Sequence, residues 1–178
     1  MLLIVLCSLL AIMSKITALN EDTVLKIAES YGNDPQQLIA VLLDIQSASG
    51  RNYVDRKWAQ LIAQALDLPL SKIYDALTFY SMFSITERGE CLIEICHSAP
   101  CHFSGANYGK RQQVIGWFEA AAGIKMGETT ADGKITLALT NCVGVCDIGP
   151  AVKIGNDVFG NLNEEKVISL VQRCRDKG

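Results

Sequence analysis

The chain opens on a run of twelve almost wholly apolar residues, Met1 to Ile12. A helix needs about 20 apolar residues to cross a bilayer, so this run is too short to span one. It lacks the charged start of a secretory signal, and Met13-Ser14-Lys15 is typical of an ordinary cytosolic beginning. We interpret residues 1–19 as an apolar or disordered segment, whose first twelve residues either precede the true start or make a weak membrane or partner contact.

Apolar positions recur at helical spacing between residues 20 and 87, and each set of repeats follows a residue that favours a helix start. In the second set, for example, Leu38, Val41, Leu42 and Ile45 fall on one face of a helix. The residues at the four starts are Asn20, Asp34, Asp55 and Pro69. The pattern therefore predicts a helical N-terminal domain of four helices over residues 20–87.

The pattern changes after Arg88-Gly89, where short alternating or continuous apolar runs indicate strands. The predicted elements, in chain order, are a strand over Leu92–Ile95, a helix over 104–122, a polar loop from Gly127 to Gly133, a strand over Ile135–Leu139, a hairpin of Ala151–Ile154 with Val158–Phe159, and a final helix capped by Asn163. Residues 88–178 are thus predicted to form a small α/β sandwich.

Composition narrows the possible functions of this 178-residue chain. The net charge of −3 argues against a nucleic-acid binder, which usually carries a basic face. The sequence contains no glycine-rich phosphate loop. The seven cysteines are many for this length and odd in number, which does not suit a secreted disulfide scaffold.

Four of the cysteines form two close pairs, and each pair comes directly after a predicted strand. Cys96 and Cys101 are separated by four residues, and Cys142 and Cys146 by three. If the two strands are neighbours in one sheet, their loops offer two thiolates each to one shared centre. Four thiolates are what a 2Fe–2S cluster requires, two for each iron, so these four residues are the predicted cluster and metal ligands.

Three other kinds of cysteine site are alternatives to a 2Fe–2S cluster: a structural zinc site, a thioredoxin-type redox pair and a Rieske centre. A structural zinc site uses similar spacings, so spacing favours the cluster only modestly. Neither pair has the two-residue spacing of a thioredoxin-type redox motif. A Rieske centre needs histidines on both loops, whereas His97 and His102 both lie beside the first pair and are interpreted as loop residues. Cys91 and Cys174 are interpreted as buried small hydrophobic residues.

Charge near the cysteines predicts the redox behaviour of a cluster held there. No Lys or Arg lies between Cys96 and Ala106, and the only charge between Thr140 and Ala151 is that of Asp147. A cluster with four thiolates is anionic, and reduction adds another negative charge. Without a cation nearby in sequence the reduced form is poorly stabilised, which predicts a low potential.

The two cysteine pairs, with further segments, resemble the thioredoxin-like 2Fe–2S subunit of NADH dehydrogenases (complex I). The run Thr78 to Phe83 is similar to the signature that precedes the ferredoxin domain in that family. Gly123-Ile124-Lys125 and the segments that follow it, Gly127-Glu128-Thr129-Thr130 and Asp132-Gly133-Lys134, also match. The resemblance extends over roughly residues 20–175. The second loop departs from it, since it reads Cys-Val-Gly-Val-Cys-Asp where the respiratory subunits more often have Cys-Leu-Gly-Ala-Cys.

The resemblance implies a thioredoxin-like C-terminal domain with a helical N-terminal extension. It implies one 2Fe–2S cluster that exchanges electrons with a partner flavoprotein holding FMN and NAD(H), beside a further iron–sulfur subunit. The same type of subunit serves NADH-dependent or electron-bifurcating hydrogenases and NAD-linked formate dehydrogenases. The chain alone is not expected to be catalytic or to span a membrane, and a cytoplasmic location is expected. A free-standing ferredoxin and a zinc-stabilised interaction module are the alternatives.

Overall fold

The structure is a computed structural model, and it describes residues 19–103 and 109–176. The chain forms two compact units that divide between Thr86 and Glu87. The apolar run over residues 1–12 lies outside the described residues. Within the described ranges, no helix combines the length and the apolar character that crossing a membrane requires.

The N-terminal unit contains the four predicted α-helices. They are α1 (Glu21–Ser30), α2 (Leu38–Ala48), α3 (Arg56–Ala65) and α4 (Leu70–Phe79), with a short 3-10 helix over Pro35–Gln37 before α2. Three of the predicted caps act through side chains: Asn20 accepts from the backbone N–H of Thr23, Asp34 from that of Gln36, and Asp55 from that of Trp58. Each bond satisfies a backbone donor that a helix start leaves without an internal partner.

One buried glutamine ties the segment after α4 to the core of this unit. The Gln46 side chain on α2 donates through Nε2 to the Met82 carbonyl and accepts through Oε1 from the Ser84 N–H, both at 2.9 Å. Phe83, between these two residues, is buried in the helical core. The side chain therefore satisfies two backbone groups that no helix or sheet provides for, and it fixes the path of the segment.

The C-terminal unit is a four-stranded sheet with two helices packed on one face. Its elements are β1 (Cys91–Cys96), α5 (Ala99–Phe103), α6 (Lys110–Ala122), β2 (Ile135–Thr140), β3 (Val152–Ile154), β4 (Asp157–Phe159) and α7 (Glu164–Asp176). The strand order is β2-β1-β3-β4. β1 pairs in parallel with β2 and antiparallel with β3, and β3 and β4 form the predicted hairpin.

Successive side chains of β1 alternate between the hydrophobic core on one face of the sheet and the predicted cysteine site on the other. Ile93 and Ile95 lie in the core shared with α6 and α7, whereas Cys96 belongs to a separate small cluster with Cys101 and Ala151. Since successive side chains in a strand point to opposite faces, Glu94 and Cys96 lie on the face away from those two helices.

Two expectations are corrected by the C-terminal unit. A short helix, α5, starts at Ala99, so Cys101 lies on a helix rather than in an open loop. In addition, Cys91 and Cys174 form a disulfide with a Cα–Cα distance of 5.6 Å, so the expectation of two unlinked buried cysteines is wrong. The two are 83 residues apart in sequence and meet because α7 packs against the sheet next to the start of β1.

Candidate metal centre

The register of β1 and β2 brings the two cysteine loops together. Cys96, the last residue of β1, lies opposite Thr140, the last residue of β2. The N–H of His97 donates to the Thr140 carbonyl at 2.8 Å, so the strands remain joined one residue beyond Cys96. Because parallel strands end at the same edge of a sheet, the loop that contains Cys142 starts beside the loop that follows Cys96.

Backbone groups of Ala151, which precedes β3, connect the two cysteines of the first loop. Its carbonyl accepts from the N–H of Cys96 at 2.9 Å. Its own N–H donates to the sulfur of Cys101. A donor aimed at a thiolate stabilises the charged form, and the same contact tunes the electronics of a metal bound to that sulfur.

The second loop folds back on itself, so that its two sulfurs face each other. Cys142 Sγ and Cys146 Sγ are 3.7 Å apart, and both are free thiols. The Gly144 N–H donates to the Cys142 sulfur. Gly144 has φ +86°, in the left-handed region that favours glycine, which allows the turn to present this N–H.

Contacts between the loops link all four thiols. Cys142 is within hydrogen-bonding reach of the side chains of Cys96 and Ser98 in the first loop. Cys101 contacts Cys96 and lies close enough to Cys146 for the two charges to interact. Within residues 19–103 and 109–176, no set of three or more His, Cys, Asp or Glu side chains has the arrangement of a site that could hold a metal ion. The structure thus brings the thiols together through pairwise contacts, and the ligand assignment stays a prediction.

The four thiols differ in burial and in acidity. Cys96 and Cys101 are buried, Cys146 is partly buried and Cys142 is exposed. Burial, followed by the hydrogen bond with Cys96, raises the pKa of the Cys101 thiol to about 11. The Gly144 N–H is the main cause that lowers the pKa of Cys142, whereas the hydrogen bond with Cys142 raises the pKa of Cys146.

The donor set fits a thiolate-bound metal group. Two sulfurs that bind one metal tetrahedrally at about 2.3 Å are roughly 3.8 Å apart, close to the spacing of Cys142 and Cys146. A Cβ built on Gly149 would lie 3.2 Å from Cys101 Sγ, so glycine leaves the space that this sulfur occupies. Partly buried Val143, Val145 and Val158 pack around Cys96, Cys101 and Ala151 and give the inner sulfurs an apolar surrounding. These features suit a metal that thiolates bind tetrahedrally, such as iron or zinc.

Several features of the centre were not predicted from the sequence. The Ala151 N–H and the Ser98 hydroxyl approach the sulfurs through tertiary contacts. Arg111 Nη1 in α6 donates to the carbonyl of His97 at 3.3 Å, so a cation does contact the first loop although none is near it in sequence. The premise that no cation lies nearby therefore holds along the chain but not in space.

Comparisons with known proteins identify the family of the chain. Residues 24–175 match the model of the thioredoxin-like [2Fe-2S] ferredoxin family. An NADH-quinone oxidoreductase subunit from Rickettsia felis is 32% identical over 133 residues, which is 75% of this chain and 77% of the relative. The HndA subunit of the NADP-reducing hydrogenase from Solidesulfovibrio fructosivorans is 29% identical over 148 residues, 83% of this chain and 82% of the relative.

A solved structure shows the same fold. A chain of an NAD+-reducing [NiFe]-hydrogenase in the air-oxidized state matches with a TM-score of 0.65 and 22% identity over 79% of this chain. The matched part is only 23% of that hydrogenase chain. The α/β thioredoxin-like fold predicted from the sequence is therefore confirmed, and so is the resemblance on which it partly rested. The chain belongs to the thioredoxin-like [2Fe-2S] ferredoxin family.

Proposed function

We propose that this chain is an electron-transfer subunit that carries one 2Fe–2S cluster on Cys96, Cys101, Cys142 and Cys146. The observation that carries the proposal is the pairwise approach of four free thiols, on the two segments that follow a pair of parallel strands. When bound, the cluster supplies a one-electron redox centre. The chain itself contributes no bond-making or bond-breaking step, so its part in an oxidoreductase is the holding and tuning of this centre.

The four cysteines and two backbone N–H groups have different roles in holding the cluster. The exposed Cys142 and partly buried Cys146 lie on the outer side, where an electron can be exchanged with a partner. The buried Cys96 and Cys101 anchor the inner side against the sheet. The N–H groups of Ala151 and Gly144 donate to sulfur and favour the thiolate forms that bind metal.

The partners follow from the names of the relatives, which are subunits of NADH-quinone oxidoreductase and of a NADP-reducing hydrogenase. We infer a complex in which a flavoprotein with FMN and NAD(H) exchanges electrons with this chain, beside a further iron–sulfur subunit. Exposed apolar side chains near the end of α4 support a partner contact, since Phe79 is 80% and Ile85 48% exposed. We also propose that the cluster has a low midpoint potential. Asp147, directly after Cys146, contributes a negative charge that disfavours the reduced state.

Anaerobic purification of the full chain with its copurifying proteins tests the proposal. We expect a brown protein with iron and sulfide in equal amounts, together with a flavoprotein that contains FMN. A brown protein that runs alone, without a flavoprotein, would favour a free-standing ferredoxin. A colourless protein that contains zinc and no sulfide would contradict the cluster and favour a zinc-stabilised module.

A further inference from the structure

Arg111 is a cation that the fold, rather than the sequence, brings to the cysteine loops. It lies in the first turn of α6, and its Nη1 donates to the His97 carbonyl at 3.3 Å. His97 directly follows Cys96, so the contact fixes the guanidinium against the backbone next to a predicted ligand. The side chain is partly buried.

Two further observations show that the described residues leave the charge of Arg111 without a counter-ion. Within the described residues, Arg111 has no carboxylate partner, and its buried Nε has no hydrogen-bond acceptor. By contrast Lys153, a cation on the cluster side of the sheet, is neutralised by Glu94 at 3.3 Å. A buried donor without an acceptor calls for an explanation, and an anionic group held in the adjacent loops would supply one.

We propose that Arg111 is a positioning residue that raises the midpoint potential of the centre held by the four cysteines. The inference rests on the proposed function, because it requires a redox-active cluster at this site. The His97 carbonyl holds the Arg111 guanidinium in place. The positive charge of the guanidinium stabilises the reduced, more negative state of the cluster over the oxidised state. Arg111 offsets the negative charge of Asp147, which lies beside Cys146 in the other loop.

Coulomb's law sets the size of the effect. A unit charge placed about 10 Å from any redox centre, at an effective dielectric constant of about 20, changes the ratio of reduced to oxidised centres roughly tenfold, and we take this as the order of magnitude for Arg111. For a one-electron couple a tenfold change in this ratio is ~59 mV. The removal of the charge should therefore lower the midpoint potential by roughly this amount.

The test compares three variants of the full chain, each loaded with the cluster and titrated against redox mediators with detection by electron paramagnetic resonance. Arg111→Gln should lower the potential by about 59 mV, the shift that a tenfold change in the ratio represents. Arg111→Lys, which keeps the charge, should have a midpoint potential close to that of the wild type. Lys110→Gln is the matched control, because Lys110 is the exposed neighbour in the same helix and loses the same charge. Its potential should change by less than half as much.

The outcomes separate this inference from the proposed function. An unchanged potential in Arg111→Gln, or equal shifts in Arg111→Gln and Lys110→Gln, would overturn the role of Arg111. If Arg111→Gln does not retain the cluster, retention by Arg111→Lys at the wild-type potential supports the role of the charge, and loss from both variants overturns it. Absence of iron and sulfide from the wild-type protein would instead contradict the proposed function.

Discussion

Gly149 leaves the space for the Cys101 sulfur, and replacing it by alanine should weaken retention of the cluster. Its φ of −61° and ψ of 163° suit any residue, so alanine would introduce no backbone strain there. The added Cβ, however, would meet Cys101 Sγ at 3.2 Å and the Cys146 carbonyl oxygen at 3.4 Å. The first distance is tight and the second is an ordinary contact, so the cost of the substitution falls on the Cys101 sulfur.

The size of the effect follows from these distances. Non-bonded atoms of this kind prefer separations of about 3.5–4.0 Å, so the sulfur must move by a few tenths of an ångström. Metal–ligand distances tolerate roughly ±0.2 Å. Substitutions around metal ligands typically cost about 10- to 100-fold in affinity. We expect the lower end of that range, about tenfold or ~1.4 kcal/mol, because only one methyl group is added.

The assay is the rate at which visible absorbance is lost when the loaded protein is exposed to an iron chelator. Gly149→Ala should bleach about tenfold faster than the wild type, in line with the lower end of the range above. Gly116→Ala is the matched control, since it adds the same methyl group in α6 and its Cβ would have nothing within 4 Å. Equal bleaching rates for Gly149→Ala and the wild type, with both folded by circular dichroism, would refute the reasoning.

Three further predictions concern stability and pH. Gln46→Ala leaves two backbone groups of the segment after α4 without partners. It should lower the free energy of unfolding by about 2–4 kcal/mol in urea titrations, whereas Gln60→Ala, at an exposed site, should change it by less than ~0.5 kcal/mol. Because the pKa of Cys101 is raised to about 11, that thiol keeps its proton at pH 6–9 until a metal displaces it. Competition titrations of the metal-free protein with Zn²⁺ should therefore give an affinity that rises with pH, by about tenfold per unit for each proton released, and a pH-independent affinity would contradict this. Cys91→Ser opens a disulfide that joins residues 83 apart and should cost about 4.5 kcal/mol without reductant but almost nothing with excess dithiothreitol. An equal cost in both conditions would show that the disulfide is not its source.

Much of the fold could be predicted because its local signals agree with one another. Asn20, Asp55 and Asn163 each start a helix at the predicted place, with a side-chain oxygen that accepts from the backbone. The apolar runs before the two cysteine pairs become neighbouring parallel strands. Such signals lie within a few residues of the feature they determine, so the sequence alone is enough to identify them.

The features that escaped prediction depend on contacts between distant segments. The pairing of Cys91 with Cys174 requires α7 to pack beside the start of β1, and no local pattern indicates that arrangement. The helix at Ala99 is five residues long, too short for a repeating apolar pattern. The contact of Arg111 with the His97 carbonyl joins residues that are 14 apart in sequence. The charged residues within the two cysteine loops therefore do not include Arg111.

The measurement that tests the central claim most directly is the iron and acid-labile sulfide content of the full chain and of single cysteine variants. The account predicts two irons and two sulfides per chain, with an electron paramagnetic resonance signal that appears on reduction. Serine at Cys96, Cys101, Cys142 or Cys146 should remove or alter that signal, whereas serine at Cys91 should leave it unchanged. Zinc in place of iron, or a signal that survives replacement of all four predicted ligands, would contradict the account.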